Sequence, residues 1–125
     1  MPESCPEFVR ITEAGDWVVE YHRWFKLNPE DAGGYDCGVE GFNAWDLMFT
    51  ETLFQAKNHV AGLVLDVGWY PHADPSGCYV VCIVRVDSSS GQTDWQSPVM
   101  TYETRVLNEA VNMVQNSLQR RNWSF

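Results

Sequence analysis

The chain has 125 residues, of which 45% are hydrophobic, 14% aromatic and 20% charged, and its net charge at pH 7 is −9. This length suits one domain, and the apolar content is too high for a disordered chain, so we expect a single domain over residues 1–125. No apolar run reaches the 18 or so residues of a membrane helix, and the N-terminus lacks the features of a secretory signal. These observations indicate a cytoplasmic protein.

The negative charge is concentrated in the first half of the sequence. Residues 1–51 hold eleven carboxylates and three cationic side chains, whereas residues 52–125 hold six carboxylates and five cationic side chains. Such a field repels nucleic acid and anionic membrane surfaces, whose binding depends on Lys and Arg, and it attracts a basic protein. Acidity also keeps proteins soluble, so charge alone leaves both interpretations open.

The N-terminal third of the chain predicts two strands followed by a loop. Residues 8–13 and 17–25 alternate apolar and polar side chains and are rich in β-branched and aromatic residues, which predicts strands joined by a tight turn. Residues 27–41 then combine four glycines and a proline with four carboxylates. This composition predicts a long, flexible acidic loop, and loops of that length are more often functional than idle.

The rest of the chain predicts two helices and a hairpin. Asn43 is a good N-cap, and the helical spacing of apolar residues after it predicts a first helix over residues 44–58. Residues 63–69 and 78–86 are β-prone runs around a turn rich in Pro, Asp and Gly, which predicts a hairpin. Residues 95–100 are a candidate for one more short strand, and an amphipathic helix is predicted from about residue 101 onward.

The predicted fold is a single α+β domain in the order ββ-α-ββ(β)-α. A mostly antiparallel sheet of four to five strands, with both helices packed on one face, would bury the apolar side of each helix. Trp17 and Trp24 lie seven residues apart on one predicted strand, so in a regular strand at least one of them would face away from the core. Surplus aromatic residues on a sheet face often mark a binding surface or a dimer contact, so a homodimer stays open. The alternative is that a curved sheet and the C-terminal tail bury these rings.

Sequence motifs for catalysis or cofactor binding are lacking. The chain has no GxSxG, GxxxxGK[ST], GxGxxG or HExxH motif, so we expect neither an enzyme nor a cofactor. The four cysteines form no CxxC pair and are expected to be reduced thiols; they are Cys5, Cys37, Cys78 and Cys82. Asp66, His72 and Asp74 are a candidate set of metal ligands, but an Asx-turn at Asp74 is the favoured interpretation, so no metal is expected.

The acidic loop supplies the candidate binding surface. Carboxylates around an aromatic anchor would provide electrostatic steering and a buried contact in a protein complex. The predicted partner-binding residues are Glu30, Asp31, Tyr35, Asp36, Glu40 and Asp46. A solvated loop without a partner is the alternative interpretation of the same residues.

One stretch of the chain resembles a known class of protein. The run from Leu63 to Pro71, which ends in Gly-Trp-Tyr-Pro, the turn from Asp74 to Gly77 and the strand over residues 78–86 resemble small bacterial immunity proteins. These are the antitoxins of contact-dependent inhibition and polymorphic toxin systems. The resemblance implies a cytoplasmic acidic protein that binds and neutralises the C-terminal toxin domain of an effector, frequently a basic nuclease. A small-molecule-binding or regulatory domain, with an apolar pocket between sheet and helices, is the alternative.

Overall fold

The computed structural model describes residues 6–35, 38, 40–87 and 89–120, which form five strands and three helices. In chain order these are β1 (Trp17–His22), α1 (Pro29–Ala32), α2 (Ala44–Met48), β2 (Phe54–Asn58), β3 (Leu63–Tyr70), β4 (Cys78–Arg85), β5 (Met100–Thr104) and α3 (Leu107–Gln119). The combination of one sheet with a few helices confirms the predicted α+β class.

The five strands form one antiparallel sheet in which spatial order equals chain order. β3 and β4 pair along their whole lengths, from Leu63 opposite Arg85 to Tyr70 opposite Cys78, which confirms the predicted hairpin. β3 is the central strand and is buried on both faces over most of its length, as its almost continuous apolar sequence requires.

The helices pack on one face of the sheet, which we call the core face. Because side chains alternate across a strand, Leu65, Val67 and Trp69 share this face and belong to the main cluster of buried apolar residues. Buried residues of all three helices, such as Ala32, Ala44 and Val114, belong to the same cluster. The prediction that the helices cover a single face is therefore confirmed.

The predicted helix over residues 44–58 is wrong in its second half. α2 ends at Met48, and Phe54–Asn58 is strand β2, which pairs with both β1 and β3. Within β2, fully buried residues alternate with half-buried ones, a period of two that only a strand produces. Pairing on both sides outweighs the local helical propensity of Gln55, Ala56 and Lys57.

The predicted N-terminal hairpin does not form. Residues 8–13 make only an isolated bridge, Phe8 with Phe25, and β1 pairs with β2 instead. The backbone of Thr12 is satisfied elsewhere, because its N–H donates to Oε1 of Gln115 on α3 and its carbonyl accepts from Nε2 of that residue, both at 2.9 Å. The segment therefore crosses to the C-terminal helix after the bridge.

Trp17 and Trp24 are both buried, at 3% and 1% exposure, so neither is the surplus aromatic residue that a regular strand predicted. β1 ends at His22, and its register shifts between Val19 and Tyr21. This bulge breaks the alternation that would have placed the two rings on opposite faces.

The position of the last strand and the start of the last helix also differ from the prediction. Residues 100–104 form strand β5, paired with β4, and the helix begins only at Leu107. Of the predicted strand over residues 95–100, only Met100 lies in a strand. Half-buried Met100, Tyr102 and Thr104 alternate with exposed residues, so the period of two overrides the helical spacing at this point.

Candidate binding site

The structure places most of the predicted partner-binding residues on the two short helices and the turn between them. Glu30 and Asp31 are neighbours on α1, Asp46 lies in the first turn of α2, Glu40 lies in the turn, and all four are exposed. Asp36 lies outside the described residues. The acidic segment is therefore not one continuous loop, because Pro29 begins a single helical turn within it.

Tyr35 and α2 are both packed against neighbouring aromatic rings. Tyr35 is half-buried, with its ring centroid 6.0 Å from that of Phe42. The ring of Trp45 lies 5.7 Å from that of Trp69, whose side chain is on the core face. The predicted acidic surface consequently belongs to the helical layer of the molecule.

The opposite side of the sheet, which we call the open face, carries a row of side chains that crosses all five strands. Consecutive pairs in the strand registers define the row, which is Tyr21, Gln55, Asp66, Cys82 and Thr101. None of the described helices packs on these residues, since all three contribute to the core-face cluster. The row is polar apart from its aromatic end.

The open face contains a hollow of about 660 Å³, which is lined by four of the five residues of this row. Its lining comes from all of the strands except β1 and from the two connections that flank them. The lining residues are Thr52, Gln55, Asp66, Tyr70, Val80, Cys82, Trp95, Pro98, Thr101 and Glu103. Two of these side chains are carboxylic acids, and no Lys, Arg or His is found among these described lining residues.

One wall of the hollow depends on Gly68. Leu53 N–H donates to the Val67 carbonyl, and Trp69 N–H donates to the Thr50 carbonyl, both at 2.8 Å, so the two residues between Thr50 and Leu53 bulge over the sheet. A Cβ at Gly68 would lie 2.0 Å from the carbonyl oxygen of Glu51. Only glycine permits this close approach, which shapes the edge of the hollow beside Thr52.

Asp66 is the buried acidic group of the hollow, with only 7% of its surface exposed. Gln55 donates a hydrogen bond from Nε2 to its Oδ1 at 3.2 Å. Burial raises the pKa of Asp66 to about 6, and the hydrogen bond from Gln55 opposes that rise only in part. The carboxyl group therefore gains or loses its proton close to neutral pH.

The charge of Asp66 contributes to raised pKa values of two further groups in the hollow. Burial, followed by the charge of Asp66, raises the pKa of the Cys82 thiol to about 11. Burial also raises the pKa of Tyr70, with contributions from Asp66 and Glu51. A thiol with so high a pKa is a poor nucleophile at neutral pH, so the chemistry on offer is that of carboxylate acceptors beside aromatic rings.

Large apolar side chains are exposed around the open face. Among the described residues, Val18 and Tyr21 on β1, Tyr70 at the end of β3 and Trp95 at the rim are 39–50% exposed. Val64 and Val84, one row away on the same face, are buried, so the exposed groups frame the hollow rather than cover the whole face. Exposed apolar groups gathered at one place mark an interaction surface.

The turn between β3 and β4 contains the Asx-turn that was the favoured interpretation at Asp74. The Asp74 carboxylate accepts hydrogen bonds from the backbone N–H and the hydroxyl of Ser76, at 2.8 and 2.7 Å, which is an Asx-turn. No group of three His, Cys, Asp or Glu side chains suited to a metal ion occurs in the described part of the chain. Cys78 and Cys82 are free thiols, whereas Cys5 and Cys37 lie outside the described residues.

Sequence reasoning missed the hollow, although one signal was available. Asp66 interrupts the apolar run of β3, and a carboxylate inside a strand that is buried on both faces is uncommon. Its partner Gln55 was hidden by the erroneous helix over residues 44–58. With β2 assigned correctly, Gln55 and Asp66 would have been placed side by side on one face.

A scan against protein-family models and searches of curated proteins and of solved structures found no match to this chain. The resemblance to immunity proteins therefore stays a prediction from the residues. In the portion covered by the structure, none of the helices combines the length and apolar character needed to cross a bilayer.

Proposed function

We propose that this protein is an immunity protein of the bacterial cytoplasm, which neutralises a basic toxin domain by stoichiometric binding. The observation that carries the proposal is the open face, where exposed aromatic side chains surround an acidic hollow and no described helix packs. An apolar rim around carboxylate acceptors complements a protein surface that presents cationic side chains.

The charge of the whole chain supports the same partner. The net charge of −9 would accelerate encounter with a basic protein, and the exposed carboxylates of α1 and α2 contribute to that field. Because α2 packs on the core face and the hollow opens on the other, we assign different roles to the two surfaces. The carboxylates of α1 and α2 steer the basic partner during encounter, and the open face forms the contact in the complex.

A second candidate function rests on the size of the hollow. Its volume of about 660 Å³ falls within the usual range for small-molecule sites, roughly 300–1,000 Å³. The alternative predicted from sequence placed such a pocket between sheet and helices, but buried core side chains occupy that space among the described residues. The second candidate function is therefore the binding of a small organic cation on the open face.

The test of the proposed function is capture followed by reconstitution. The tagged full-length protein is used to isolate partners from bacterial lysate at low and high salt, and each captured protein is purified and recombined with it. We expect a basic toxin domain that forms a 1:1 complex, loses its activity in that complex and binds more weakly as salt rises. A protein captured without inhibition, or no basic partner at all, would contradict the proposal and favour the small-cation alternative.

Charge variants separate steering from contact in the reconstituted complex. The double change Glu30→Gln with Asp31→Asn is expected to slow association at low salt by about tenfold and to leave dissociation nearly unchanged. Asp66→Asn is expected to accelerate dissociation instead. The matched control is Glu7→Gln with Asp16→Asn, which removes the same charge from other exposed positions. An equal effect of the two double variants on association would show that only net charge matters.

A further inference from the structure

The hollow holds a carboxylate that lacks a cationic partner within the described part of the chain. Asp66 is 7% exposed and accepts one hydrogen bond, from Gln55 to Oδ1, and no described cation contributes to its electrostatic surroundings. A buried carboxylate is costly unless it is paired or hydrogen-bonded at both oxygens. A ligand that supplies positive charge and N–H donors would meet both requirements.

The other lining groups indicate which class of ligand the hollow suits. Glu103 provides a second carboxylate and Thr101 a hydroxyl acceptor, so the site suits a cation with several donors and excludes an anion. Tyr70 and Trp95 line the same hollow and add two aromatic rings to it. A divalent metal is disfavoured because no set of three suitable ligands converges among the described residues.

A guanidinium group fits this combination better than an ammonium group. It is planar, presents five N–H donors that match carboxylates in pairs, and is weakly hydrated enough to stack on aromatic rings. An ammonium group is a compact and strongly hydrated point charge, so it pairs less well with carboxylates and stacks less well on aromatic rings. Carboxylate acceptors and aromatic rings that line one hollow therefore favour an arginine side chain over a lysine side chain.

We infer that the hollow on the open face receives an arginine side chain of the basic partner, with Asp66 as its counter-ion, Glu103 as a second acceptor and Tyr70 and Trp95 against the guanidinium plane. This inference rests on the proposed function for the origin of the arginine. The binding chemistry of the hollow, however, is testable without any partner protein.

The test is an NMR titration of the full-length, ¹⁵N-labelled protein with N-acetyl-arginine methylamide. The matched ligands are the citrulline analogue, which has the same shape without the charge, and the lysine analogue, which has the charge without the planar fork. We expect saturable shifts at the Gln55 side-chain amide and the Trp95 indole, with a dissociation constant in the millimolar range. The citrulline and lysine analogues should bind at least about tenfold more weakly.

Variants test whether binding of the arginine analogue depends on the Asp66 carboxylate. Asp66→Asn is expected to weaken arginine-analogue binding about tenfold or more, and Asp16→Asn, which removes one exposed carboxylate from the turn before β1, should leave it unchanged. Binding should also weaken about tenfold from pH 8 to pH 5, as Asp66 is protonated. Shifts that do not saturate, equal binding of citrulline or lysine analogues, or no loss in Asp66→Asn would overturn the inference.

The two proposals fail in different ways. If the analogue binds in the hollow but no basic toxin domain forms a complex, the guanidinium site stands and the immunity function is contradicted. If an inhibited 1:1 complex forms but the analogue does not bind, the function is supported and the arginine site is overturned.

Discussion

Gln55 and Asp66 face each other across β2 and β3, and the amide Nε2 of Gln55 donates to Oδ1 of Asp66 at 3.2 Å. This pair lies at the centre of the row that crosses the open face. The hydrogen bond favours the charged carboxylate, but burial acts more strongly in the opposite direction. Asp66 is consequently a charge that the fold tolerates at a cost, which is typical of groups retained for binding.

The first prediction concerns the pH dependence of stability. The pKa of Asp66 is raised from 3.8 to about 6 in the folded protein, so the folded state binds the proton more tightly than the unfolded chain. The stabilising effect of protonation is therefore fully present below about pH 4 and is lost as pH rises to about 6. The free energy of unfolding should fall by up to about 3 kcal/mol over this interval through Asp66 alone.

Urea denaturation of the wild-type protein and Asp66→Asn between pH 4 and pH 8 measures this contribution. The variant keeps the side-chain shape and an oxygen that accepts from Gln55, but it has no proton to exchange. Its stability relative to wild type should therefore rise between pH 4 and pH 6 and stay constant above pH 7. A difference that does not change with pH would show that Asp66 titrates normally.

The second prediction concerns the Cys82 thiol. Burial and the neighbouring charge of Asp66 raise its pKa to about 11, so alkylation by iodoacetamide at pH 8 should be slow. Asp66→Asn removes the electrostatic part of that rise and should accelerate the reaction severalfold. Peptide mass spectrometry measures the rate, with Cys78 as the internal reference because Asp66 does not contribute to its pKa. Equal acceleration at both cysteines would indicate general loosening of the fold.

The third prediction tests the wall above Gly68. Gly68→Ala would place a Cβ 2.0 Å from the Glu51 carbonyl oxygen, so the backbone has to shift, and we expect a loss of about 3 kcal/mol in stability. Gly33→Ala is the matched control, since no atom lies within 4 Å of its Cβ position and its φ is −66°. Thermal denaturation of both variants decides the matter. A Gly68→Ala protein as stable as the control would mean that the bulge over Gly68 is absent.

The fourth prediction concerns Arg105, which fixes the turn between β3 and β4. Its guanidinium donates to the carbonyls of Gly77 and Pro75 and lies 5.5 Å from the ring centroid of Trp69. Arg105→Lys keeps the charge but loses the paired donors and the planar stacking, so we expect a loss of about 1–2 kcal/mol. The exposed Arg10→Lys change should cost almost nothing in the same denaturation experiment, and a similar loss in both variants would refute the role of Arg105.

The hairpin of β3 and β4 was predictable from sequence because its signals are local. Alternating or continuous apolar residues on both sides of a turn rich in Pro, Asp and Gly leave little choice of structure. The α+β class followed from the same signals together with the C-terminal amphipathic helix. Positions such as Ala110 and Val114 are buried as the helical spacing predicts.

The elements that could not be predicted depend on distant partners. Gln55, Ala56 and Lys57 locally favour a helix, and Phe54–Asn58 becomes a strand because β1 and β3 pair with it on both sides. The bulge in β1 and the side-chain contact between Thr12 and Gln115 likewise need the assembled sheet. The hollow was missed for the same reason, since its lining joins residues that lie up to 51 positions apart, from Thr52 to Glu103.

Hydroxyl-radical footprinting of the protein alone and in the reconstituted complex shows whether the open face is the contact surface. If the open face is the contact surface, oxidation of Tyr21, Tyr70 and Trp95 falls on complex formation, whereas that of exposed Leu47 on α2 does not change. Protection of Leu47 with Trp95 still fully oxidised would instead place the interface on the acidic helical layer, and the open face would not be the contact surface.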